Sequence, residues 1–215
     1  MRRNNTIYSI SLIALLTAIM ALFSFTPLGA IHIGTFNITL MGIPLAIMAV
    51  TLGPIGGLLG GAIWGGFSLI QGLTGMDPSG PVLFEYSPIG LIVACLGARM
   101  ITGFVAGLLY DIFNRYEKMH VFATIFSSLS VPILNTFFFM GFYSLFFFGM
   151  NGADNPLGFF LVAMTGILLN FVIELSINAF ASTAICLVID KVLTHLGFVS
   201  PFPHFFQRKL EEKAA

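Results

Sequence analysis

The chain has 215 residues, of which 57% are hydrophobic and 8% charged, with zero formal net charge and a mean hydropathy of +0.98. Soluble domains carry about 25% charged residues, so a water-solvated fold is excluded. A transmembrane barrel is excluded as well, because its strands alternate apolar and polar positions over about ten residues, whereas the apolar runs here are long and continuous.

An apolar helix needs about 20 residues to cross the hydrocarbon, and the chain has room for about six such segments. Residues 1–5 and the apolar run behind them imitate a signal peptide, but 23–34 offers no small-residue cleavage site. The first helix, at 7–25, is therefore read as retained. On it, Ser11, Ala14, Ala18 and Ala21 share one face, a smooth strip containing an AxxxA step that lets another helix approach closely. The loop that follows carries His32 and Asn37, with Thr39 at the start of the second helix.

Helices at 38–52 and 55–71 are separated by a sharp turn at Gly53-Pro54. The third helix has a path of small residues through Gly56, Gly60, Gly61 and Gly65, fit for tight packing, and it also carries Trp64 and Gln71. The fourth helix is expected at 91–113, the fifth at 121–148 and the sixth at 170–190. The surplus apolar sequence at 82–90 and 157–169 is assigned to outer caps. Two charges fall inside spans: Arg99 near the middle of the fourth helix and Glu174 near the outer end of the sixth. Each is costly at bilayer depth and is a functional candidate by default. Asn170, Glu174 and Asn178 recur every four residues along one stripe, and Asn135 follows Pro132 in the fifth helix. The phenylalanine runs around 138 and 147 are read as packing or lipid-facing surface.

With both termini on one side, Arg2, Arg3, Arg115, Lys118, Lys191, Arg208, Lys209 and Lys213 all fall there, and the positive-inside rule assigns that side to the cytoplasm. The outer loops then carry only the acids Asp77, Glu85 and Asp154. An even helix count gives this split. The expectation is an all-α membrane protein: one domain of six transmembrane helices over 1–215, both termini cytoplasmic, partly apolar extracellular cap loops, and a short polar tail at 198–215.

Counting from the inner boundaries puts nearly all the intramembrane polar residues in the outer half, where they are able to line one cavity. Two bland readings stand beside this. Arg99 and Glu174 neutralise each other as a buried pair, or the asparagines serve only as interhelical hydrogen bonders, at about 0.6 kcal/mol each. No GxxxxGK[ST], HExxH or GxSxG pattern occurs, the four histidines are scattered, and Cys95 and Cys186 have no pairing or metal-ligand spacing. The chain is read as a non-enzyme with no cofactor and no nucleic-acid partner.

Four features together resemble a known family: the AxxxA of Ala14 and Ala18, the stretch GTFNITLMGIP at 34–44, the stretch LGPIGGLLG at 52–60, and Asn135-Thr136 with the spaced Glu174 and Asn178. The chain resembles the substrate-binding S components of energy-coupling factor (ECF) vitamin transporters over nearly its whole length. The resemblance implies a subunit of a prokaryotic plasma membrane that captures a vitamin from outside. It implies as partners a transmembrane coupling T protein, which docks on Ala14, Ala18 and Ala21, and two cytosolic ATPases. Arg99 favours an anionic vitamin, pantothenate, with Asn135, Asn178, Gln71, Trp64, His32, Asn37, Thr39 and Glu174 as further candidate binding residues. If Glu174 consumes Arg99, a pyridoxine-like vitamin, hydroxymethylpyrimidine or cobalamin competes with it. A stand-alone secondary transporter using Glu174 and a structural membrane organiser are the readings outside the family.

Overall fold

A computed structural model describes residues 5–27, 30–33, 36–115 and 119–195. The tail expected at 198–215 lies outside these residues, as do Arg2, Arg3 and Lys118. Helix α1 (Asn5–Phe25) ends just before Pro27, and a two-stranded antiparallel hairpin follows, β1 (Ala30–Ile33) and β2 (Phe36–Thr39). Next come α2 (Gly42–Thr74), two short helices α3 (Gly80–Tyr86) and α4 (Pro88–Ile92), and α5 (Ala98–Phe113), joined to α4 by a π-helical turn over Val93–Gly97. The helices α6 (His120–Phe147) and α7 (Pro156–His195) complete the chain. Among the described residues, five helices are long and apolar enough to cross a membrane.

The element α2 is not one rod. Gly53 adopts φ 71° and ψ −164°, outside the helical region, and Pro54 supplies no backbone donor to bridge the break. The chain folds back there, so that Gly60 on the second arm lies against Leu45 and Met48 of the first. The sharp turn expected at Gly53-Pro54 is therefore present. Nearly every residue of the first arm is buried, and Leu45, Met48, Ala49, Val50 and Leu52 form the centre of the core. By contrast α1 is peripheral: Ile7, Ile10, Leu15 and Leu22 are exposed, as lipid-facing side chains are.

The tightest junction joins the second arm of α2 to α5. Gly57, Gly61 and Gly65 recur every four residues and so share one face. That face meets the backbone of α5 at Gly103 and Arg99, and of the π turn at Cys95, in antiparallel order. A Cβ at Gly57 would collide with the Gly103 carbonyl, one at Gly61 with the Arg99 carbonyl, and one at Gly65 would come 2.7 Å from the Cys95 oxygen. Of the small-residue path read from the sequence, Gly61 and Gly65 face α5, whereas Gly56 and Gly60 face the first arm of α2.

The segment 82–90, expected as a cap, forms α3 and the start of α4, which runs on into the apolar span Pro88–Phe113, and it is firmly packed. Leu83 and Leu91 are buried in a second apolar cluster with Cys95 and Phe147, and Gly80 sits directly on Gly72. The segment 157–169 differs from expectation. It is the first part of α7, which runs unbroken for 40 residues, about 60 Å at 1.5 Å per residue and twice the hydrocarbon thickness. Apolarity alone cannot distinguish a cap from a helix extension, and no proline interrupts 157–195 to force a break.

The α2–α5 junction gives a sharp test. Gly61→Leu should lower the melting temperature in detergent by several degrees, since overpacking a fixed backbone costs about 1–3 kcal/mol or more. Gly66→Ala should not, because nothing lies within 4 Å of a Cβ there. Equal melting curves for the two variants would show that the junction is not close-packed.

Candidate functional site

Arg99 opens α5 immediately after the π turn, and the turn shapes its surroundings. In a π turn the ladder shifts to i→i+5, which displaces carbonyls from their helical partners; such turns are frequent at functional sites. The Arg99 Nη1 donates to the carbonyls of Ala94 at 3.3 Å and Cys95 at 3.0 Å, both within that turn. The guanidinium carbon also lies 5.1 Å from the ring centre of Trp64 and 5.2 Å from that of Phe139. Cation–π contacts of this kind contribute roughly 0.5–2 kcal/mol each. Two carbonyls and two rings therefore fix the head group in place, yet its Nε is buried with no hydrogen-bond partner. A donor left in this condition costs about 1–3 kcal/mol until an acceptor arrives.

A cavity of about 580 Å³ opens beside this head group, and five of the residues singled out in the sequence line it: Arg99, Asn135, Trp64, Gln71 and Thr39. Asn135, from α6, contributes a second orphan, a buried Oδ1 without a partner. Gln71 has a structural task as well: its Nε2 donates to the carbonyl of Ser24, tying the end of α2 to the end of α1. Thr39 Oγ1 accepts from the backbone N–H of Met41 at 3.4 Å, at the junction of β2 and α2. The side chains of His32, Asn37 and Asn178 lie outside the described ones. His32 and Asn37 are register partners in the hairpin.

Glu174 lines neither this cavity nor its neighbour. It sits half-buried on α7, and its charge attracts that of Arg99. Conversely, Ser24, Ser68 and Asp77 belong to the cavity wall without having been picked out as binding residues. Ser68 was legible, since Trp64, Ser68 and Gln71 follow the i, i+4, i+7 spacing of one helix face. Asp77 was visible only as an outer-loop acid. Its Oδ1 accepts from the Ser79 backbone N–H at 3.0 Å and from the Ser79 hydroxyl at 2.7 Å, which holds the loop at the cavity edge.

The arrangement suits the binding of a small solute. Among the described residues there is no cluster of metal-ligating side chains. The site instead presents a fixed cation and an orphaned amide oxygen in the wall of a chamber of small-solute size, within the roughly 300–1,000 Å³ typical of such sites.

Comparison with known proteins agrees with this geometry. The family model described as "ECF transporter, substrate-specific component" matches residues 9–186, from α1 through most of α7 and across the whole cavity. No curated protein matches the chain.

The orphaned Oδ1 gives the site its own test. Asn135→Leu should leave the melting temperature of the unliganded protein unchanged or raise it, because it removes a buried acceptor that nothing satisfies. A fall of several degrees would assign Asn135 a structural role instead.

Proposed function

The chain belongs to the family of ECF-transporter substrate-specific components, and from that premise we propose that it captures a carboxylate vitamin, pantothenate, from the outer face of a prokaryotic plasma membrane. The observation that carries this reading is the cation of Arg99, held by two carbonyls, beside Asn135, Gln71 and Thr39 in the wall of one cavity. A carboxylate on the free edge of a fixed guanidinium forms charge-assisted hydrogen bonds, about twice as strong as neutral ones. The ligand's own hydroxyl or amide donors satisfy Asn135. A volume of about 580 Å³ favours a solute of this size over a corrinoid.

In this reading the chain crosses the membrane six times, with both termini cytoplasmic. It hands its ligand to a transmembrane T protein driven by two cytosolic ATPases. Ala14 and Ala18 are exposed on the peripheral helix α1 and Ala21 is half-buried beside them, which supports this face as the docking strip for the T protein. The attraction between Glu174 and Arg99 favours a second reading, a neutral ligand such as a pyridoxine-like vitamin or hydroxymethylpyrimidine.

One substitution separates the two. Arg99→Ala should weaken pantothenate binding about 10–100-fold, the worth of a charged hydrogen-bond pair, while a neutral vitamin would lose much less. Isothermal titration with each compound decides between them. Ala14→Trp with Ala18→Trp should leave vitamin binding intact but abolish uptake when the T protein and ATPases are co-expressed. Undiminished uptake would remove α1 from the docking role.

A further inference from the structure

A second cavity of about 430 Å³ adjoins the first. The two share Ser68, Gln71, Asp77 and Arg99, so they meet along Arg99 and the end of α2. Beyond that shared edge their walls differ. Trp64 lines only the first and Phe139 only the second, although both rings pack on the same guanidinium. Arg99 therefore stands as a partition with an aromatic ring toward each chamber.

The chambers also differ in chemistry. The first is lined by Asn135 together with the hydroxyl-bearing Ser24, Thr26 and Thr39. The unshared wall of the second is mainly Leu83, Leu91, Phe139, Met140, Tyr143 and Ile167. Among the described residues, the shared Arg99 Nε is the only buried unpartnered polar atom in that wall. The wall is also rigid. Tyr143 stacks on Phe139 with ring centres 6.3 Å apart and meets Phe147 at 5.2 Å, so three rings spaced by four residues form one face of α6. Leu83 and Leu91 are held by the packed cap.

We propose that the two chambers are one bipartite substrate site, and that its second chamber selects the apolar end of an elongated carboxylate whose anionic group lies at Arg99. The substrate class is a small linear acid whose carboxylate meets Arg99 from the first chamber and whose chain passes the shared edge at Ser68 and Gln71 to place a compact branched alkyl group in the second. This rests on the anionic-vitamin reading but reaches further: affinity depends on an apolar group that neither Arg99 nor Asn135 touches. Ala163 of α7, in the wall of the second chamber, is the specificity-determining position, because its small side chain leaves the room that the alkyl group takes.

The probes are N-acetyl-, N-butanoyl- and N-isovaleryl-β-alanine, with pantothenate as the fourth, each titrated calorimetrically into the full chain in detergent. Each buried methylene raises affinity about fourfold, so affinity should climb by an order of magnitude or more from the acetyl to the isovaleryl compound. Ala163→Phe, or Ile167→Trp where the first variant melts early, should flatten that climb, bringing the isovaleryl-to-acetyl affinity ratio toward one. A flat series in the native protein overturns the bipartite site, even if pantothenate binds. A climbing series with no pantothenate binding overturns the vitamin assignment and leaves the bipartite site standing. No binding of any of the four acids overturns both.

Discussion

The structure depends on one close approach, that of the second arm of α2 to α5, backbone against backbone through Gly57, Gly61, Gly65 and Gly103. In lipid there is no water to squeeze out between helices, so association rests on van der Waals contact and interhelical hydrogen bonds. Removing side chains from one stripe brings two helices within contact of each other's carbonyls. Everything at the site follows from that proximity. Gly61 lies on the carbonyl of Arg99, and Trp64, less than one turn further on, reaches the guanidinium.

A buried cation in this setting needs support from every side, and each support has a separate origin. The π turn supplies two carbonyls, and α2 and α6 supply one ring each. These elements converge on one head group from three directions. The convergence explains why a single arginine is tolerated in an apolar segment.

Much of this was legible beforehand, and the reasons are physical. Helix existence, the break at Gly53-Pro54 and the cost of Arg99 all follow from apolar length, backbone chemistry and desolvation, which are local properties. The hairpin of β1 and β2 was not foreseen: its strands are four residues each, too short for alternation to register. The unbroken α7 was read as a cap plus a helix because length beyond one crossing has two equally apolar solutions. Arg99, Asn135, Trp64, Gln71 and Thr39 line one cavity, whereas Phe139 lies in a run whose sequence reads as packing or lipid-facing surface, with room for one aromatic in a pocket but no sign of which. One ring of three in Phe137, Phe138 and Phe139 turning inward depends on the rotation of α6, which repeated phenylalanine cannot specify.

Trp64 is the only tryptophan in the chain, it is 4% exposed, and it lies in the cavity wall against the guanidinium. The emission of an indole responds to the charge and water around it, and here no other indole dilutes the signal. The protein thus carries a built-in optical reporter at the point where a ligand would displace water and draw on the neighbouring cation. Its occupancy is readable by intrinsic fluorescence without any label.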